Sequence, residues 1–251
     1  MIKPLGSFAD ETGHSKDPNR KFVGIAGLLA GSDSWIRFDS EWREICKDEG
    51  IILPFSMKDF AAFRQQFQNE WKTAGDARRI KALGRFVRAI KNAKAIPIGA
   101  IVSLDDFNSC SALAKSRMRD PYYLAFQGVT YNLAFAAAVH TAPGTVSMTY
   151  ARHAEYSASG KELWYAIKDA NPLIRYWMGS YTPGEPSDYS PLQAADIWAY
   201  ELGHHFEYIL PNKKPWRWAF NELVQMGMAA SFGFQFFTFF DRDRMQVWEH
   251  P

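Results

Sequence analysis

Cysteine is nearly missing from these 251 residues: Cys46 and Cys110 stand far apart, in no CxxC or Cys/His spacing. That argues against a disulfide framework and a structural zinc site, and a reducing compartment is expected. Long apolar runs are missing too. The longest, VGIAGLLAG and NLAFAAAVH, fall far short of the roughly 20 residues that cross a bilayer, and residues 1–20 hold no apolar core of signal-peptide length. The expectation is a soluble, cytoplasmic protein with no membrane partner. Neither sign of charge is in excess: 29 basic against 27 acidic side chains leave a net charge of +2. No global field steers such a chain toward nucleic acid, so that partner has to be met by a local patch. There is no internal repeat, low-complexity tract or flexible linker, and no Walker-type loop, G-x-S-x-G elbow or G-x-G-x-x-G fingerprint. Nucleoside-triphosphate and serine-hydrolase readings lose their support.

What the chain has is apolar and aromatic mass, 47% and 16% of its residues, enough to bury a sizeable core. IKPLGSFA and KFVGIAGLLAG read as two strands joined by a polar turn, ETGHSKDPNR. Asp33 or Ser34 suits the cap of a helix with Trp35, Phe38, Trp42 and Ile45 at helical spacing, and residues 51–75 read as an irregular aromatic connection. DARRIKALGRFVRAIKNAK sets Ile80, Leu83, Val87 and Ile90 against Arg78, Lys81, Arg85 and Arg88, a basic amphipathic helix. Strand character returns at 95–104, 145–156 and LIRYWMGSY (173–181). Asp120 and Pro121 open a long buried helix, and GKELWYAIKDA and PWRWAFNELVQMG read as two more. In SPLQAADIWAYELGHHFEYIL, Ser190, Pro191 and Gln193 match a capping box, which places Asp196 in the second helical turn. The whole, 1–251, reads as one α/β domain: a mixed sheet of about five strands with helices on both faces, and an aromatic C-terminal extension.

Three acidic sites stand in apolar settings: Asp10 with Glu11 at the end of strand one, Glu155 at the end of TVSMTYARHAEY, and Asp196 within LQAADIWAY. Taken singly, an acid at a strand end is more often a turn former or cap, and an Asp on a helix is usually solvated. Taken together they have a chemical use, because Mg²⁺ and Mn²⁺ prefer oxygen ligands, and clustered carboxylates need cations to offset their repulsion. Two ions about 4 Å apart stabilise the attacking and leaving oxygens of a phosphodiester displacement.

FADETG near the start, FSMKDF, the HAEY strand end and PLQAADIWAYE, spread from about residue 5 to residue 205, resemble the marks of the family catalogued as domain of unknown function 3800. That family carries a D-E-S-G-like start and a late L-Q-x-A-D helix, and is grouped with ribonuclease H-like folds. In those folds acids from strand one, a central strand and a late helix meet at a metal site. The resemblance thus implies a ribonuclease H-like sheet, with Asp10, Glu155 and Asp196 as metal ligands, Glu11 helping or orienting them, and all four as the catalytic acids. The chain departs from the pattern at Thr12, where serine is usual, and at Ser56, where histidine often precedes MKDF.

The function expected on this footing is a Mg²⁺- or Mn²⁺-dependent nuclease or phosphodiesterase; the alternative is a non-catalytic module of the same fold that binds nucleic acid or a protein. Lys58 of FSMKDF is placed to meet a substrate phosphate, and Arg78, Lys81, Arg85 and Arg88 form a candidate phosphate-tracking face whose plainer reading is a solvated helix surface. NKKPWRW (212–218) mixes bases and aromatics in a way that suits single-strand stacking, although core or interface tryptophans are the commoner explanation. His204 lies eight residues beyond Asp196 on the same helix, beside His205, and is a candidate proton shuttle whose commoner reading is a surface or packed histidine; His14 and His153 carry similar modest weight. Six phenylalanines between 232 and 240 demand burial, either in this chain's own core or in a homodimer contact.

Overall fold

Alternating burial in LGSFADET makes β1 (Leu5–Thr12): Leu5, Ser7 and Ala9 are buried on one face, and Gly6, Phe8 and Asp10 take the other. The computed structural model describes residues 4–12, 20–139, 144–152, 157–230 and 236–249. The expected turn after β1, with His14, and the segment carrying His153 and Glu155 lie outside the described residues. β2 (Phe22–Gly31) is buried almost throughout because elements cover both of its faces. It pairs antiparallel with β1, Asp10 opposite Ala26, and then with β3 (Ile96–Ser103). β4 (Val146–Ala151) adds parallel to the free edge of β1, and β5 (Met178–Gly184) parallel to β4. β6 (Phe236–Phe240) adds parallel to β3. The sheet order is β5-β4-β1-β2-β3-β6. This mixed sheet, with helices on both faces, is consistent with a ribonuclease H-like α/β fold, carrying six strands in place of about five.

The sixth strand comes from the aromatic tail. Phe236 is buried and Phe240 packs on one face, while Phe237 and Phe239 pack on the other. The described phenylalanines of the tail are thus spent in the chain's own core. LIRYWMGSY was expected to be strand throughout, but it divides. Pro172 starts a short helix, Pro172–Arg175, and the strand begins only at Met178, beside Val146.

In chain order the helices are α1 (Ser32–Glu49), α2 (Met57–Ala61), α3 (Glu70–Asn92), α4 (Leu104–Ser109), α5 (Ala112–Met118), α6 (Pro121–Val139), α7 (Ser157–Ala170), α8 (Pro172–Arg175), α9 (Ser190–His204), α10 (Trp218–Ala230) and α11 (Arg242–Met245). One layer, built from α1, α3, α9 and α10, packs Trp42, Phe86, Trp198 and Phe220 against the Ala26 and Leu28 face of the sheet. The opposite layer is dominated by α6, which is apolar all round, and packs on Ile25, Ala100 and Tyr150. Asp120 caps α6 as its position predicts, accepting from the Tyr122 and Tyr123 amides at 2.8 and 3.1 Å. No helix among the described residues is long and apolar enough to cross a membrane.

α3 is two pieces. Gly75, at φ 72° and ψ −162°, breaks the helical path, and the regular amphipathic run starts at Asp76. Leu83, Val87 and Ile90 are buried as their spacing predicts, but Ile80 is 61% exposed.

Candidate active site

Asp10 sits in the last turn of the pleat at the carboxyl end of β1, facing α9, and Asp196 sits on the second turn of α9, facing back. The two carboxyls are mostly buried and lie within electrostatic reach of each other. Burial, the Asp196 charge and the Glu11 charge push the Asp10 carboxyl up to about 8, against the pull of the bond that its Oδ1 accepts from the Glu11 amide at 2.8 Å. Burial also raises Asp196, to about 6. The Met57 amide, donating to its Oδ2 at 2.7 Å, and the Lys58 ammonium hold it down, while Asp59 pushes it up. Asp196 is therefore the first of the pair to ionise, and burial together with the Asp196 charge keeps the proton on Asp10 through neutral pH.

The geometry around Asp196 is set by residues that the sequence presents as a helix cap. Ser190 and Gln193 do not form a capping box: Tyr189 occupies the cap position and no side chain caps it. The Ser190 hydroxyl donates instead to Asp39 Oδ1 of α1 at 2.6 Å. The Gln193 amide is used at both ends. Its Oε1 accepts from Trp42 Nε1 at 3.1 Å and from the Phe55 amide at 2.8 Å, and its Nε2 donates to the Pro186 carbonyl at 2.7 Å. Holding Phe55 this way brings Met57, two residues on, against Asp196. The FSMKDF segment thus serves the site through its backbone, with Phe55, Met57 and Phe60 anchored in the core and Ser56 capping α2 through the Asp59 amide at 3.5 Å.

β1 and α9 approach closely enough that any side chain at position 203 meets Thr12. A Cβ there would stand 1.9 Å from Thr12 Oγ1. Thr12 is thus packed under α9 at the end of the strand that carries Asp10.

Of the other residues read from the sequence, Lys58 is brought to the site, exposed on α2 beside Asp196. Glu11 is not on the Asp10 face. Strand alternation turns it to the α6 side, opposite Ile25, where its charge bears on the buried Tyr150 hydroxyl. Glu155 lies outside the described residues. Among the described residues no three His, Cys, Asp or Glu side chains converge as a metal-holding group, so the visible donor set is the pair Asp10 and Asp196.

The basic face of α3 divides in two. Lys81 and Arg88 are exposed, but Arg78 donates to the Glu49 carbonyl at 3.0 Å and lies over the Trp71 ring, and Arg85 pairs with Glu49 at 2.9 Å and with Asp48 at 2.5 Å. These two arginines bind the carboxyl-terminal end of α1, where the helix dipole and two acids attract them. Burial takes His204, the last residue of α9, down to about 4, with Arg217 adding to the effect, and lowers His205 just beyond, whose ring stacks on Phe220 at 4.1 Å.

Three contributors escape a linear reading: Gln193 as a clamp, the Met57 amide as a ligand of Asp196, and Tyr200 one turn beyond Asp196 with Arg217 beside it. Gln193 alone left a signal, the S-x-x-Q spacing, which also fits a cap. No protein-family model matches this chain, and no curated protein matches it either.

Proposed function

We propose that this chain is a divalent-metal-dependent phosphodiesterase acting on nucleic acid, a nuclease of ribonuclease H-like architecture. The observation that carries the reading is the pairing of two mostly buried carboxyls, Asp10 at the end of β1 and Asp196 on α9. Two carboxylates ionised side by side in a mostly buried setting repel, and a bound cation relieves that repulsion. The donor set suits a hard dication, being oxygen only, with both carboxyls able to ionise toward the cation. Asp10 and Asp196 would hold Mg²⁺ or Mn²⁺, with Glu155 completing the set that the motif order implies. The bound metal supplies Lewis acidity and lowers the pKa of an attacking water.

The chain's own residues do the rest. The Met57 amide fixes the orientation of Asp196, and Gln193 fixes the segment that carries that amide. Lys58 offers an ammonium to a non-bridging phosphate oxygen at the rim. Asp10 would hold the cation in its ionised form, its proton having passed to solvent. The likeness of FADETG, FSMKDF and PLQAADIWAYE to the domain of unknown function 3800 family belongs to this same reading.

A metal titration tests it. Mn²⁺ raises the melting temperature of the wild type, and Asp10→Asn combined with Asp196→Asn abolishes the rise; cleavage of a single-stranded, duplex or hybrid substrate requires both acids. Identical responses of wild type and double variant to Mn²⁺ would leave only a non-catalytic binding module on the same scaffold.

A further inference from the structure

One helical turn beyond Asp196, Tyr200 forms a wall of a cavity of about 110 Å³ that is closed on other sides by Phe60 of α2, Ile80 and Leu83 of α3, and the guanidinium groups of Arg79 and Arg217. Its volume approaches the roughly 150 Å³ that accepts a benzene ring in a protein interior. Met57, whose amide donates to Asp196, also lines the cavity, so one residue separates it from that acid.

Two features fit a ligand that is flat and apolar at one end and anionic at the other. The first is exposed apolar surface at the mouth. Ile80 is 61% exposed and Trp218 48% exposed, and Trp218 lies over α3 at Gly84, one turn along from Ile80. The second is guanidinium N–H groups without a hydrogen-bond acceptor among the described residues. Arg217 gives two of its five to the buried carboxylate of Glu201, Nε to Oε2 and Nη2 to Oε1, both at 2.9 Å, which fixes the plane of the fork. Arg79 reaches the Ala61 carbonyl and, at 2.6 Å, Asp76, whose side chain is 69% exposed and whose pull is screened by water.

We infer that the mouth of this cavity receives one nucleotide of a single-stranded polynucleotide, the phosphate on Arg79 and Arg217 and the base laid over Ile80 and Trp218 outside it, about one helical turn along α9 from Asp196. The inference rests on the phosphodiesterase reading and names its substrate class. A duplex keeps its bases stacked inward and cannot present one to this surface, whereas a single strand offers its bases freely. The NKKPWRW stretch, with Lys213, Lys214 and Trp216 exposed ahead of Arg217 and Trp218, continues the same base-and-aromatic surface away from Asp196.

The test is fluorescence anisotropy with short labelled DNA and RNA strands in EDTA, where cleavage is off. The wild type binds a single strand more tightly than the duplex of the same sequence. Ile80→Glu, at a position exposed enough to leave the fold intact, and Trp218→Ala each weaken binding about fivefold or more. Arg79→Gln weakens it and reduces the salt slope by about 1, while Lys161→Gln on α7, across the sheet, changes nothing. No binding of single strands, equal binding of duplex, or Ile80→Glu binding like the wild type would overturn the assignment. Because the metal response of Asp10 and Asp196 is read separately, loss of single-strand binding with that response intact sinks this cavity alone. Binding without any metal response or cleavage sinks the phosphodiesterase instead.

Discussion

The Met57 amide donates to Asp196 Oδ2 at 2.7 Å across a sequence separation of 139 residues. This bond makes the orientation of an acid on α9 depend on a five-residue helix far upstream, and that helix depends in turn on Gln193, three positions before the acid itself. The site is a closed loop of support between two distant segments, so its weak points lie outside the carboxylates.

Gln193→Ala orphans the buried Trp42 Nε1 and the Phe55 amide. Each lost partner of a buried group costs about 1–3 kcal/mol, so a loss near 3 kcal/mol is expected in urea denaturation. The Mn²⁺-induced rise in melting temperature should shrink with it, because the Met57 amide is no longer held. Full stability in this variant would show that the clamp is incidental.

The acid pair makes stability depend on pH. The Asp10 carboxyl holds its proton to about 8 in the folded chain against 3.8 when unperturbed, so between those values the native state binds more protons than the unfolded state. Stability in EDTA is therefore greatest below about pH 4 from this group and falls as pH rises toward 8. Asp196 adds a narrower contribution that ends near pH 6. Denaturation of the wild type at pH 5 and pH 8 should show that fall, Asp10→Asn should flatten it, and Mn²⁺ should reverse it by favouring the ionised pair.

Gly203→Ala places a methyl group 1.9 Å from Thr12 Oγ1. Overpacking of this kind costs about 1–3 kcal/mol unless the Thr12 side chain turns away, and a strand end displaced from α9 would weaken the metal response as well. A second change, Thr12→Ala, removes the nearest atom and leaves a Cβ contact of 3.1 Å, so the double variant recovers part of the stability and part of the metal response.

Arg217→Ala strands Glu201, whose side chain is 0% exposed, and lowers stability by about 3 kcal/mol, the low end for a broken buried pair because Arg217 is itself 35% exposed. Replacing both partners with methionine removes the stranded charge and restores most of the loss in a thermal melt. A single variant as stable as the wild type would mean that Glu201 carries a proton in the fold.

Much of the scaffold is legible from short windows. The β1–β2 pair, the Asp120–Pro121 start of α6, the buried stripe of Leu83, Val87 and Ile90, and the placement of Asp196 on an early turn of a helix all follow from residues within one or two turns of each other. The readings that shifted are those where a local pattern met a stronger distant partner. Ser190 and Gln193 have the chemistry of a cap and spend it on Asp39, Trp42 and Phe55. Arg78 and Arg85 have the spacing of a solvated basic face and are drawn to the end of α1. The tail phenylalanines signal burial without saying where, and pairing with β3 decides it.

The sequence by itself determined most of the strands and long helices, that acids stand in apolar company, and that the aromatic tail must leave water. Periodicity and hydrophobicity act over a few residues and are written along the chain. Tertiary structure alone decided that Asp10 and Asp196 share one face, that Glu11 is turned to the other, and that Tyr200, Arg79 and Arg217 enclose a cavity about one helical turn along α9 from Asp196. These relations depend on strand alternation, on the packing of α9 across β1, and on hydrogen bonds between segments more than a hundred residues apart.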